Sequence, residues 1–475
     1  MDKTYFLSQS ISLTLVILIS LIFVFLGFYN SKKYQDLNNY LTANRNIGLF
    51  SLTTSLTASA LGAWILFGPA SAATWGGIGA IIGYSLGTAF PMFFLIYLGK
   101  KIRKELPRGS SLIEFMRKRF RKSLFKLILL MIIFYMFIFL CAEVTAVAIL
   151  INYISGTELW ITALIILMST LAYTLYGGLR ASIFTDNIQM VVIGVLLLIS
   201  LVYINSSIGS EFSFEFINEK NPQLLSLSYV PGYTAGLTFF IAVFATNLFD
   251  QGIWQRVYAA KNIDNLKKGF IGSFFIVFCV IFLLGLIGIY ASITGAVKDP
   301  STIIFSILVN KEYIFLNLLI LILSLTLVLS SLDTLIASIS SLFIIHSQSF
   351  IKIKNIKYLF ITSGVILAGS ALYVSSKGLS ILYLFLLADL LCCSAAIPIF
   401  YGFYNNKIKS EKVYFSILLG VISGLLFFPS LDFSKSILVG GLLNKEIFPI
   451  FISNYLLFWS FVIGSFSPII FLQKN

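Results

Sequence analysis

Apolar residues run in blocks along the whole chain, parted by short clusters of charged and turn-forming residues. Most blocks are close to the roughly 20 residues a helix needs to cross the hydrocarbon of a bilayer. Windows of that size give thirteen spans: 8–29, 47–73, 77–99, 124–153, 159–176, 182–205, 233–255, 270–294, 314–344, 358–375, 379–402, 414–431 and 448–471. The pattern predicts an all-α polytopic membrane protein with a single transmembrane domain over 1–475. The first block, Ser10 to Asn30, is longer than a signal-peptide core and carries Lys32 and Lys33 behind it, so it is expected to remain as a helix with the N-terminus outside.

Composition agrees with this reading. Hydrophobic residues make up 58% of the chain and charged residues 11%, less than half the charged share of a soluble domain. With 46 Phe there is more apolar surface than one aqueous core can hide, which excludes a soluble globular enzyme. The aromatic content also excludes a disordered chain. The formal charge of +14 is explained by topology: with the N-terminus outside and the C-terminus cytoplasmic, 25 Lys and Arg fall on the inner side and seven on the outer. No nucleic-acid partner is therefore expected. Cys141, Cys279, Cys392 and Cys393 lie within apolar runs and His346 stands alone, so neither a disulfide nor a metal cluster is expected.

Five acids fall inside the spans: Glu143, Asp186, Asp250, Asp333 and Asp389. No span interior supplies a Lys or Arg to pair with them, which points to a cation pathway or to protonation. For Glu143 and Asp389 the alternative is a place near a helix end that reaches water.

Two spans are interrupted. SLTTSLTASALGAWILFGPASAATWGG carries Gly62 and then Gly68-Pro69, where the proline removes a donor and frees carbonyls one turn earlier. A discontinuous helix is predicted, with a plain proline kink as the alternative. Five spans later AGLTFFIAVFATNLFDQGIWQRVYAAKN is broken by Asn247, Asp250, Gln251 and Gly252. Interrupted helices at matching places in successive groups of five are the mark of an inverted-repeat transporter, with repeats over 47–205 and 233–402. A third polar stretch, LVLSSLDTLIASISSLF, puts Ser330, Asp333, Thr334, Ala337 and Ser341 on one helical face, rich in oxygen donors for a hard cation such as Na+. Small hydroxyl residues also line ordinary helix contacts in membranes.

The segments LNNYLTANRNIGLFSLTTSLTAS, LPRGSSLIEFMRKRF, GGLRASIFTDNIQ, WQRVYAAKN and SSLDTLIASISS resemble the sodium:solute symporter family, and FDQGIWQR is similar to its urea and polyamine branch. The resemblance implies the leucine-transporter fold, a 5+5 inverted-repeat core with one helix before it (8–29) and two after it (414–471). It also implies Na+-coupled symport by alternating access, with Na+ as coupling ion and no organic cofactor. The main sodium site would use the carbonyls of Ala58, Leu61 and Leu327 with the hydroxyls of Ser330 and Ser331. A second position would use Asp186, Ser330, Asp333 and Thr334.

Solute would enter beside Trp64, Phe67, Asn247, Asp250, Gln251 and Trp254, with Glu143 beside Asp250 able to receive a cation. Ala60 stands where proline carriers place an acid, and Glu143 lies on the third core helix where sialic acid carriers place an arginine. A neutral or cationic solute is expected, such as urea or a polyamine. The rival readings are a channel-like facilitator, which needs a continuous polar face, and an H+-coupled carrier of the same fold. An enzyme finds no nucleophile motif or metal cluster to build on. The protein is expected to act as a monomer in a bacterial-type plasma membrane, with the lipid bilayer and a small solute as partners.

Overall fold

Hydrocarbon offers no hydrogen-bond partner to the backbone, so each apolar block must satisfy its own amides by winding into helix. The computed structural model describes residues 5–31, 37–208, 213–294, 302–309, 313–347, 353–405, 407–440 and 450–473. Among these residues the elements are helical, and β pairing is confined to isolated bridges. Of the Lys and Arg in the orientation count, Lys3, Lys32, Lys33, Lys298, Lys311, Lys352, Lys445 and Lys474 lie outside the described residues.

The order begins with α1 (Gln9–Ser31), α2 (Leu37–Thr42), α3 (Leu49–Ala60), α4 (Gly68–Ala89), α5 (Pro91–Glu105), α6 (Leu112–Arg119), α7 (Lys122–Ser155) and α8 (Leu159–Ile208). The second half holds α9 (Phe214–Lys220), α10 (Val230–Phe249), α11 (Gln251–Ala259), α12 (Ile263–Ile293), α13 (Ile303–Leu308), α14 (Ile314–Ser347), α15 (Ile353–Ser375) and α16 (Ile381–Tyr404). It closes with α17 (Ser410–Phe427), α18 (Ile450–Asn454), α19 (Leu456–Phe466) and α20 (Ile469–Gln473).

Ten helical segments among the described residues are long and apolar enough to cross a membrane. The difference from the thirteen expected spans arises at three places. Span 47–73 is divided between α3 and the start of α4, and spans 159–176 and 182–205 join in α8. In α15 the apolar stretch over described side chains is only Thr362–Ser375. Inside α4 and α8 the backbone leaves helical geometry at Gly77 (φ 54°, ψ −147°) and Gly178 (φ 58°, ψ −150°). Side chains rarely adopt this region, so glycine marks the junction between successive helices: Gly178 falls in the gap between the expected spans 159–176 and 182–205, and Gly77 opens the expected span 77–99.

α4 packs along α10 and α12. Gly76, Gly79, Gly83 and Gly87 line one face of α4, and Gly79 and Gly83 approach the backbone at Gly232 and Gly236 of α10. Lipid is as apolar as Leu, so helix association here relies on close backbone approach. A side chain at Gly83 would run into Gly236. We expect Gly83→Leu to destabilise the bundle by about 1–3 kcal/mol, the cost of overpacking, read as a lowered thermal midpoint in detergent.

Candidate cation and solute sites

Helix α3 stops at Ala60, Leu61 turns away (φ −100°, ψ 72°) and Gly62 is extended before a 3-10 turn at Ala63–Leu66 leads into α4. Such an end leaves orphan carbonyls behind it and orphan amides ahead of it. Each set finds a partner from another helix. The carbonyl of Ala58 accepts the Ser330 hydroxyl at 3.2 Å, and that hydroxyl also lies 2.8 Å from the Leu327 carbonyl. Ser331 reaches the Leu327 and Val328 carbonyls, both at 3.2 Å. On the other side of the break, Glu143 of α7 accepts the amide of Ala63 at 2.9 Å. Its carboxyl group lies so close to Gly62 that a Cβ there would be 2.7 Å from the carboxyl carbon.

The Ser331 side chain neighbours the same carboxylate, whose Oε1 is buried without a hydrogen-bond partner. The arrangement is an oxygen-only donor set of carbonyls, hydroxyls and a carboxylate at a helix break, which suits a hard cation. It brings Ala58, Leu327, Ser330 and Ser331 into one place, with Leu61 at the break itself.

Asp186 and Asp333 form a second cluster one step along α14. Asp333 is fully buried and accepts hydrogen bonds from Ser182 (2.7 Å), Thr185 (2.8 Å) and Tyr173 (3.0 Å). Asp186 accepts the Ser55 hydroxyl at 2.5 Å. The expectation that no buried base pairs with the acids is overturned here. Arg256, also fully buried, sets its guanidinium 2.8 Å from Asp186 Oδ2, 2.9 Å from Thr334, 2.7 Å from Ser55 and 3.0 Å from the Gly252 carbonyl. It had been placed in an inner loop because the predicted span ends at residue 255. Helix α11 continues to Ala259, which keeps Arg256 within the bundle. The two carboxylates and one guanidinium leave the cluster formally negative by one, and Asp186 Oδ1 is buried without a hydrogen-bond partner among the described residues.

The second interrupted helix breaks at Asp250, whose Oδ1 accepts the Ile253 amide at 2.9 Å and so caps α11. A polar cavity opens beside it, lined by Ser59, Trp64, Tyr84, Tyr135, Asn247, Asp250 and Asp389, among others. Of the predicted solute residues, Trp64, Asn247 and Asp250 line this cavity. Phe67 instead lines a larger space of about 450 Å³ with Ser71, Trp75, Thr238 and Ile381. The two spaces follow one another along the broken first core helix, α10 and α16.

The other three predicted solute residues fall elsewhere. Trp254 is fully buried, with its ring nitrogen donating to Leu248 (2.8 Å), and Gln251 donates to Ser110 and Ser341 (3.3 Å each). Glu143 sits at the helix break. Asp389 is 3% exposed, so the reading of Asp389 and Glu143 as helix-end acids reaching water does not hold. Asp389, Tyr84 and Tyr135 line the same cavity and were not among the predicted solute residues, because only the fold places α16, α4 and α7 around one space.

The far end of the broken helices is closed. Ile47 and Ala260 pair through the Ile47 amide to Ala259 (3.0 Å) and the Lys261 amide to Ile47 (2.9 Å). Arg45 donates to Pro107 and to Gly109 (2.8 Å), and Arg103 to Val257 (3.1 Å).

Interrupted helices meeting around buried oxygens in an all-helical bundle define a secondary-transporter fold. The chain belongs to the sodium:solute symporter family, which it matches over residues 40–356. It is 26% identical to the spermidine transporter DUR31 of Candida albicans over 57% of this chain and 51% of that one. It is 28% identical to the osmoregulated proline transporter OpuE of Bacillus subtilis over 62% of each chain. The chain spans about half the length of the curated relatives it matches.

A Na+-coupled sialic acid symporter in a substrate-bound, outward-open state shares the fold, with a TM-score of 0.74 at 17% identity over 97% of this chain and 96% of that one. A nucleobase-cation-symport-1 family transporter aligns at a TM-score of 0.52 and 13% identity, over 92% of this chain and 96% of that one. The fold is thus the leucine-transporter fold, in a multi-pass membrane protein.

Removing one partner of a buried ion pair strands the other charge, at about 3–5 kcal/mol. Asp186→Asn is expected to lower thermal stability by that order, with Arg256→Met and Asp186→Asn combined recovering part of the loss.

Proposed function

We propose that this chain is a Na+-coupled symporter that takes up a small neutral or cationic organic solute by alternating access. The observation that carries the reading is the Ser330 hydroxyl on the freed Ala58 carbonyl, a contact between the broken helix and α14 made only of cation-compatible oxygens. Ala58, Leu61, Leu327, Ser330 and Ser331 hold the first Na+. Asp186, Ser330, Asp333 and Thr334 form a second cation position, supported by the partnerless Asp186 Oδ1 and the net negative charge of the cluster. Trp64, Asn247 and Asp250 face the solute and Phe67 stands at the entrance. Glu143, Gln251 and Trp254 act as positioning residues that hold the broken helices in register.

Na+ bridging α3 and α14 stabilises the form whose inner end is closed, and solute in the adjoining cavity adds contacts to the same broken helices. Occupancy of both shifts the population toward closure over the solute and then inward release. Inward movement of one charge at 100 mV supplies about 2.3 kcal/mol, close to a fiftyfold solute gradient. The chain lies in a bacterial-type plasma membrane with its N-terminus outside and C-terminus inside, and works as a monomer. A channel-like facilitator does not accumulate solute, and an H+-coupled carrier does so without Na+.

Accumulation in proteoliposomes is expected to collapse when external Na+ is replaced by choline; undiminished accumulation would sink the coupling. Ser331→Ala is expected to raise the Na+ concentration for half-maximal uptake about tenfold, the equivalent of 1.4 kcal/mol. An unchanged Na+ requirement removes Ser331 from the site.

A further inference from the structure

At the closed end of the bundle the last turns of α5, α6 and α16 enclose a cavity of about 170 Å³, apart from the cation and solute sites. Its charged lining is Lys101, Lys118 and Arg119 with Glu105, so three cations face one carboxylate. Among the described residues the ion pairs are Arg121–Glu411, Arg256–Asp186 and Lys268–Asp264, and none includes a side chain of this cavity. The lining therefore carries a formal surplus of two positive charges.

The aromatic wall holds these charges in place without neutralising them. Lys101 Nζ lies 4.2 Å from the ring centroids of both Phe403 and Tyr404, and Phe403 packs on Phe115 at 4.8 Å. A π face orients an ammonium but supplies no counter-charge. Lys118 spends one donor on the Glu105 carbonyl (3.5 Å) and Arg119 one on the Asn405 carbonyl (2.8 Å), as basic side chains do at helix C-termini. Lys has three donors and Arg five, so most remain. Arg119 Nε is the plainest case, being buried with no hydrogen-bond partner among the described residues. A buried cationic N–H without an acceptor is costly, and a bound oxyanion removes that cost.

The surroundings select the anion. Phe94, Tyr97 and Lys101 follow one another at steps of three and four along one face of α5, and both aromatic side chains are exposed. On α16, Tyr404 and Tyr401 one turn before it are exposed as well. Exposed tyrosines of a membrane protein gather at the headgroup level. The cavity thus lies where lipid phosphates lie, and an apolar strip leads from it along α5 toward the hydrocarbon. A free phosphate ion meets the cations but makes no use of the strip.

We propose that this cavity binds the phosphate of an anionic phospholipid, with Lys101, Lys118 and Arg119 on the phosphate oxygens and an acyl chain along Tyr97 and Phe94. The site shares no residue with the cation and solute sites, so it stands or falls apart from the symport reading.

Binding is read by microscale thermophoresis of the full-length protein in dodecyl maltoside, titrated with dioctanoyl phosphatidylglycerol, dioctanoylglycerol and inorganic phosphate. The phosphatidylglycerol is expected to bind about tenfold or more tightly than inorganic phosphate, and dioctanoylglycerol to show no saturable binding. Lys101→Gln combined with Arg119→Gln is expected to weaken the phosphatidylglycerol about tenfold or more. Lys100→Gln combined with Arg117→Gln removes the same charge from exposed positions outside the cavity, and is expected to leave the affinity within about twofold. Lys118→Gln, at an exposed side chain, is expected to weaken binding about fivefold and serves where the first double variant does not fold.

Equal losses in the two double variants, an unchanged affinity in Lys118→Gln, or dioctanoylglycerol bound as tightly as the phosphatidylglycerol overturns the site. Inorganic phosphate bound as tightly as the lipid overturns the lipid as occupant. None of these outcomes bears on Na+ coupling.

Discussion

A backbone group freed inside a membrane must be given a partner, and this molecule meets that constraint by bonding the broken ends of one helix to side chains of others. Glu143 supplies the acceptor for the amide of Ala63, and Ser330 supplies the donor for the carbonyl of Ala58. The interruption at Leu61 and Gly62 is therefore held from α7 on one side and from α14 on the other. The same groups that stabilise the break are hard oxygen donors, so the contacts that satisfy the backbone also gather oxygens of the kind that suit a cation.

The buried ion pair acts on the middle of the same helix, at Ser55. Ser55 of α3, Asp186 of α8, Arg256 of α11 and Thr334 of α14 share one network. Arg256 offers donors in a fixed planar fork, so one side chain bridges four elements with little freedom left to lose. Together with the Ile47 and Ala260 pairing this locks the end of the bundle away from the large cavity. The larger space along α10 and α16 stays open, so the described conformation is closed at one end only.

Close packing distinguishes the elements. The glycine faces of α4 and α10 bring backbones together in a contact that tolerates little sliding, whereas α3 and α11 reach α8 and α14 through buried polar side chains.

Helix after helix was legible in the sequence because the bilayer requirement is local: twenty apolar residues are read without knowing any neighbour. The two interruptions were legible for the same reason, since Gly62, Pro69 and the polar run from Asn247 to Gly252 act on their own backbone. The division of α8 was legible too, because Gly177, Gly178 and Arg180 part the spans 159–176 and 182–205, and the backbone turns at Gly178 through a positive φ. The oxygen-bearing residues Ser330, Asp333 and Thr334 of α14 were visible as one face of a helix. Which groups meet was decided by tertiary structure alone. The pairing of Arg256 with Asp186 joins residues 70 apart, and Asp389 reaches the Asp250 cavity from another helix. Local propensity carries no information about such pairs, because their energy comes from the loss of water around both partners, and that loss exists only once the bundle has closed.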